Sequence, residues 1–136
     1  MKGTAVKQKR PLSLDDLGQV LDYYPTSTQH NDLLFIAMLL TGFFALIRLG
    51  ELAFPDDRSL HDWQKITHRE SVLINAQFYE FHLPHHKADV FLEGNHIIVW
   101  KDQFRHNPLH HFLRYSGSKK CPNVCMIWKD QIGVIC

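Results

Sequence analysis

The sequence predicts an α+β domain that is mainly helical and carries a small three-stranded antiparallel sheet. Two segments with helical spacing of apolar residues come first, three short strand-like segments follow, and one further helix signal comes after them. The 136 residues, 45% of them hydrophobic, suffice for one modest core but not for two independent ones. We therefore expect one domain over residues 11–118, between a flexible basic leader at 1–10 and an atypical tail at 119–136.

The first helix follows the basic leader, which has no acidic residue before Asp15. Ser13 and Asp16 have the spacing of a capping box, in which each side chain accepts a hydrogen bond from the backbone N–H of the other residue. Pro25 ends the segment. Between these limits the apolar residues follow helical spacing at Leu14, Leu17, Val20, Leu21 and Tyr24.

A long apolar run at 33–47 predicts the second helix. A membrane-spanning helix needs about 18–20 apolar residues. This run is shorter, contains Thr41-Gly42 and is followed at once by the charged Arg48. We therefore expect a buried core helix and no membrane partner.

Three short segments in the middle of the chain, at 72–74, 77–83 and 96–100, have the composition of strands. Asn75-Ala76 is a candidate tight turn between the first two, although alanine is a poor choice for a positive φ. The order of the segments favours an antiparallel sheet.

The last predicted helix covers 109–115. Asn107-Pro108 starts it, because asparagine caps a helix and proline fits the first helical position. Gly117 is expected to end it. The tail beyond has no caps and no sustained period, and it contains all three cysteines, at Cys121, Cys125 and Cys136. This odd number, crowded at one end, does not fit a secreted disulfide framework and favours a reducing intracellular location.

Arg48 follows the apolar helix at the point where the backbone must turn. We expect this setting to keep its guanidinium partly dry, and Glu51 to hold it in a bidentate ion pair. An arginine fixed in this way presents a planar fork to a phosphate. The alternative is an ordinary arginine at a helix end, paired with a nearby glutamate.

Lys87 lies in His85-His86-Lys87-Ala88-Asp89, between the second and third predicted strands. A lysine on such a turn can reach into a cleft, stabilise a phosphate and donate a proton to a leaving oxygen. The alternative is a solvated turn lysine.

Together, Arg48-x-x-Glu51-Leu52 after an apolar helix and Lys87 before the last strand resemble the first half of the tyrosine recombinase catalytic domain. The similarity is to integrase-like recombinases of fungal mobile elements, and residues 10–17 are similar to that domain's usual first helix. It covers Arg10 to Ser118. The resemblance implies that Arg48 binds the scissile phosphate, that Glu51 supports the active-site arginine and that Lys87 is the general acid towards the leaving 5′ oxygen. The chemistry of that family uses a tyrosine nucleophile and needs no metal or other cofactor.

The sequence departs from the family in its second half. The family's Thr-Gly lies closer to the arginine than Thr41-Gly42 does. His111-x-x-Arg114 follows the sheet too closely to be the family's His-x-x-Arg box, and Tyr115 does not have the spacing of the nucleophile. We therefore expect a C-terminally truncated enzyme that does not cleave DNA by itself.

Binding of double-stranded DNA is expected to rest on phosphate contacts rather than on base readout. The formal charge of +1 gives little support for it, although nine of the ten histidines lie from His61 onward and make this part more cationic as the pH falls. Other recombinase protomers are further candidate partners, and an intracellular, nuclear location is expected. The predicted DNA contacts besides the site are Arg10, Lys65, Arg69 and Arg105.

Three other interpretations were weighed. The chain is alternatively a structural or interaction remnant of a mobile element without DNA affinity, or a membrane-associated peptide. A zinc site made by Cys121 and Cys125 with His110 and His111 has suitable ligand types, but its spacing is not that of a well-known zinc site, and no metal is predicted.

Overall fold

The computed structural model describes residues 9–24, 26–53, 57–65, 67–84 and 94–118. These residues form three α-helices and one three-stranded antiparallel sheet, so the predicted α+β class is confirmed. The helices are α1 (Leu14–Leu21), α2 (His30–Ala45) and α3 (Pro108–Ser118). The strands are β1 (Leu73–Ile74), β2 (Phe78–Leu83) and β3 (Asn95–Trp100).

The predicted capping box starts α1. Ser13 Oγ accepts from the backbone N of Asp16 at 3.2 Å, and Asp16 Oδ2 accepts from the backbone N of Ser13 at 3.0 Å. The buried face of α1, with Leu17 and Leu21, packs on Ile36 and Leu40 of α2. These four residues form the smaller of the two hydrophobic clusters of the described residues, and this cluster holds α1 against one side of α2.

Helix α2 is the central element, and its end explains why Gly42 is a glycine. Leu46 takes the left-handed conformation (φ 56°) and is 92% exposed, so the chain reverses immediately after the helix. A Cβ at Gly42 would stand 2.9 Å from Leu49 Cδ2 and 3.1 Å from the Ile47 carbonyl oxygen. The segment after the helix therefore folds closely over its last turns.

Among the described residues, no helix has both the length and the apolar character that crossing a membrane requires.

The sheet has the order β1-β2-β3, and β2 pairs with β3 from Phe78–Trp100 to Leu83–Asn95. The prediction of a two-residue turn at Asn75-Ala76 is wrong in detail. Asn75 Oδ1 accepts from the backbone N of Gln77 at 2.8 Å and of Phe78 at 2.9 Å, which lengthens the connection to 75–77. Because the asparagine side chain forms the turn, Ala76 needs no positive φ.

The main core lies between the inner face of the sheet and the helices α2 and α3. The ring of Tyr79 stacks on Phe112, with 4.0 Å between ring centroids and an interplanar angle of 7°. Thr41 Oγ1 donates to the carbonyl of Ala37 at 2.6 Å and lies 2.8 Å from the Tyr79 hydroxyl, so the tyrosine is the donor in that second bond. Thr41 thus satisfies the polar end of a fully buried tyrosine.

Helix α3 begins as predicted, with Asn107 Oδ1 accepting from the backbone N of Leu109 at 3.0 Å and Pro108 in the first position. The prediction that Gly117 ends it is wrong, because the helix continues through Ser118. Of the described glycines only Gly94 has a positive φ, so Gly117 does not form the left-handed cap on which that prediction relied.

Candidate nucleic-acid interface

Arg48 lies directly before a short 3-10 turn, Leu49–Glu51, that follows α2. Its backbone is extended (φ −71°, ψ 136°), and its carbonyl accepts from the backbone N of Glu51 at 2.9 Å. Leu52, at the end of the turn, is buried in the main core. The backbone that carries Arg48 is therefore anchored to the protein interior.

The prediction that Glu51 holds the Arg48 guanidinium in a partly dry ion pair is wrong. The side chain of Arg48 is exposed, and the described part of the chain contains no ion pair or hydrogen bond to its guanidinium. Glu51 Oε2 instead accepts from the backbone N of Arg48 at 3.3 Å. The carboxylate caps the turn because this backbone N–H has no partner within the short helix. Glu51 therefore positions the backbone of Arg48 and leaves the Arg48 guanidinium accessible to a ligand.

Lys87 belongs to the connection between β2 and β3, which spans residues 84–94. The predicted topology, with this lysine in the connection that leads to the last strand, agrees with the strand bounds. Residues 85–93 lie outside the described residues. The structure therefore describes no distance between the Lys87 ammonium and Arg48.

Carboxylates lie beside three of the four other predicted DNA contacts. Arg10 donates twice to Asp16, at 2.6 and 2.5 Å, and these bonds hold the pKa of that carboxyl well below its usual range. Arg105 Nη2 lies 2.7 Å from Asp22, and Lys65 Nζ lies 3.6 Å from Asp62.

The fourth predicted contact, Arg69, is half-buried in the 3-10 turn before β1, and no ion pair involves it within the described residues. The ion pairs of Arg10, Lys65 and Arg105 are exposed, and exposed pairs of this kind contribute little to stability. These three cations can therefore exchange a carboxylate for a phosphate, whereas Arg48 needs no exchange.

Sequence reasoning missed a cluster of histidines at the start of α3. The rings of His106 and His111 have centroids 5.7 Å apart, and those of His110 and His111 are 5.5 Å apart. His111 is buried, and no described residue forms a hydrogen bond with its Nδ1. Burial lowers the pKa of His111 to about 4, and the nearby charges of His110, His106 and Arg114 add to the shift. The sequence signals were the crowding of histidines in the second half of the chain and the adjacent His110 and His111, which were weighed above only as zinc ligands and, for His111, as part of a His-x-x-Arg box.

The described residues of this cluster do not have the arrangement of a metal centre. The described residues contain no group of three or more histidine, cysteine or acidic side chains placed to hold a metal ion. Cys121 and Cys125, the thiol ligands of the zinc site weighed above, lie outside the described residues.

The residues nearest in type to the family's second catalytic box serve the fold instead. His111 is buried, and Arg114 Nη2 donates to the backbone carbonyl of Ser27 at 2.7 Å. Tyr115 is completely buried. That these residues are not the family's box and nucleophile stays a prediction.

Comparisons with protein-family models, with curated proteins and with solved structures found no match to this chain. The tyrosine-recombinase assignment therefore stays a prediction that rests on the residues of Arg48-x-x-Glu51-Leu52, on Lys87 and on the order of helices and strands.

Proposed function

We propose that this chain binds duplex DNA through its phosphates, as the front portion of a tyrosine-recombinase catalytic domain, and does not cleave DNA by itself. The observation that carries the proposal is the state of Arg48. Its backbone is fixed by the turn and the core, while its guanidinium is exposed and has no carboxylate partner within the described residues.

An arginine in this state suits phosphate recognition better than a paired one. Its planar fork can donate two hydrogen bonds to one phosphate, and these charge-assisted bonds are stronger than neutral ones. Within the described part of the chain, binding breaks no ion pair of Arg48. The main cost is the ordering of one flexible side chain, about 0.5–1.5 kcal/mol for side chains of this type.

Lys87 adds a second cation in the proposed site. Its connection joins two strands whose inner faces pack on α2, the helix that ends just before Arg48. In the proposed complex the Lys87 ammonium contacts the same phosphate as Arg48. For a chain that only binds, this charge contributes to affinity, and its family role as general acid is not used.

We infer the absence of cleavage from the chemical groups that the reaction needs, namely hydrogen-bond donors for the transition state and a tyrosine nucleophile. Each missing transition-state donor slows such a reaction by about 10²–10³-fold. A covalent step also needs an accessible tyrosine oxygen, and Tyr115, the tyrosine nearest to the candidate box, is buried in the core.

Fluorescence anisotropy with a labelled DNA duplex, titrated at two salt concentrations, tests the proposal. We expect affinity to fall as salt rises, because bound phosphates release counterions. Arg48→Ala should weaken binding to all sequences alike and reduce the slope of log K against log salt by about 1, the loss of one phosphate contact.

Lys101→Ala is the matched control, since Lys101 is an exposed cation just after β3 that is outside the proposed site. This variant should bind nearly as the unmodified protein does. Affinity that is indifferent to salt, or an Arg48→Ala variant that binds like the control, contradicts the proposal.

The second candidate is a structural or interaction remnant without DNA affinity. The net charge of +1 and the carboxylates beside Arg10, Lys65 and Arg105 favour it, because paired cations attract a polyanion less strongly. The same titration separates the two candidates, since the remnant shows no binding at either salt concentration.

A further inference from the structure

The loop at 101–107, which leads into the first turn of α3, contacts residues of α2 and α3 and the end of α1. Asp22, at the end of α1, accepts from Arg105 Nη2 at 2.7 Å and from His106 Nε2 at 2.9 Å. His106 in turn lies against His111 of α3, and Phe104 of the same loop packs near Phe44 of α2. The loop at 101–107 is thereby held between α1 and the α2–α3 pair.

His111 is the acid-sensitive residue of this contact region, because its imidazole is buried and its Nδ1 has no hydrogen-bond partner among the described residues. A neutral imidazole tolerates this setting, whereas an imidazolium would place a second, unsatisfied N–H and a positive charge inside the protein. The N-terminal end of α3 also carries a partial positive charge, which opposes a further cation there.

The charged groups around His111 offer little compensation. On α3 itself they are His110 and Arg114, and from the loop the facing group is His106, all cationic or able to become so. The carboxylate of α1 that reaches this region, Asp22, is bound to Arg105 and His106.

The other elements that pack on α3 are α2, β3 and β2, and β2 contributes Tyr79, whose ring stacks on Phe112. On α2, the carboxylate of Asp32 accepts from Ser27, and the ring of His30 lies against Tyr115. The inner face of β3 contributes the apolar side chains Ile97 and Val99. The carboxylate of Asp32 is thus bound to Ser27, and among the described residues no ion pair links it to His111.

We propose that the first turn of α3 is an acid-sensitive joint, which keeps α1 and the 101–107 loop docked near neutral pH and releases them when His111 becomes charged. The main sheet and the α2–α3 contact stay folded while the joint opens. This behaviour does not depend on DNA binding.

The pH window follows from the shift of His111. Its folded-state pKa of about 4 lies below the ordinary histidine value of about 6.5, so the neutral form stabilises the docked state fully above pH 6.5. That stability is lost as the pH falls from about 6.5 to about 4, because the released state takes up a proton that the docked state resists. For one proton, the docking equilibrium shifts by up to about tenfold per pH unit in this window.

Hydrogen exchange on the full chain, expressed as protection factors at pH 7 and pH 5, tests the joint. Residues 14–24 and 101–107 should lose protection at least tenfold between the two pH values, while β2 and β3 should keep theirs. His111→Phe should remove the pH dependence, because phenylalanine is similar in size and does not titrate. His96→Phe, which changes an exposed histidine on the sheet, should leave it in place.

Loss of protection that is the same in His111→Phe as in the unmodified protein would overturn the proposal, as would uniform loss over the whole chain. If His111→Phe does not fold, the unmodified protein with labelled histidines decides by NMR. The His111 imidazole should then titrate in step with the release of 101–107. Titration without any release contradicts the joint.

Discussion

Arg48 illustrates how a single residue can be fixed and available at the same time. Glu51 binds its backbone N–H, Leu52 anchors the turn in the core, and the guanidinium remains in solvent. The carboxylate acts on the backbone rather than on the charge. Replacing Glu51 should therefore weaken DNA binding through the geometry of the turn rather than through a lost ion pair.

Tyr79 gives a prediction on stability at the same scale. Tyr79→Phe keeps the stacking on Phe112 but removes the hydroxyl that donates to Thr41. Loss of a buried hydrogen bond costs about 0.5–1.5 kcal/mol, and Thr41 keeps its bond to the Ala37 carbonyl. Urea unfolding should show a lower midpoint with an unchanged slope.

Tyr23→Phe is the control for that measurement, because Tyr23 is 85% exposed. Its unfolding midpoint should match that of the unmodified protein. If Tyr79→Phe also unfolds at the unmodified midpoint, the Thr41–Tyr79 bond does not stabilise the core.

At the scale of the elements, the end of α2 depends on a close approach at Gly42. Gly42→Ala gains about 1 kcal/mol in helix propensity, but the new methyl group meets Leu49 Cδ2 at 2.9 Å and the Ile47 carbonyl at 3.1 Å. Overpacking of this kind costs about 1–3 kcal/mol, so the net effect should be destabilising. The free energy of unfolding measures it.

Gly117→Ala is the matched variant in α3, where no atom of the described residues lies within 4 Å of an added Cβ. It should be neutral or stabilising, by at most about 1 kcal/mol. If both alanine variants have the same effect, the close contact at Gly42 has no energetic importance.

The elements also show which structural features can be predicted from a sequence. The start of α1 and the start of α3 were predicted correctly, because Ser13 with Asp16, and Asn107 with Pro108, act on residues two or three positions away. The end of α2 was harder, since the left-handed residue there is Leu46 and not a glycine.

The candidate site was predictable only in part. The position of Arg48 after α2 and the location of Lys87 between β2 and β3 follow from the order of segments, whereas the exposure of the Arg48 guanidinium was not predicted. The role of Glu51 does not, because the choice between a backbone and a side-chain partner depends on the turn geometry. The histidine cluster depends on contacts between His106, His111 and Asp22, which local patterns do not encode.

At the scale of the whole molecule, the net charge is nearly neutral, although individual cations such as Arg48 are exposed. Two of its four tyrosines, Tyr79 and Tyr115, are fully buried in the core. We therefore predict that incubation with a nicked DNA duplex yields no covalent protein–DNA adduct on a denaturing gel. An adduct that disappears in Tyr115→Phe would contradict the structural role of Tyr115.

The most direct test of the central claim is a double-mutant cycle on DNA affinity with Arg48→Ala, Lys87→Ala and the combined variant. If both side chains contact one phosphate, the effects should be non-additive, with a coupling energy of about 0.5–3 kcal/mol as for residues that share a partner. Strictly additive effects, or no effect of either change, would show that the two cations do not act on a common phosphate.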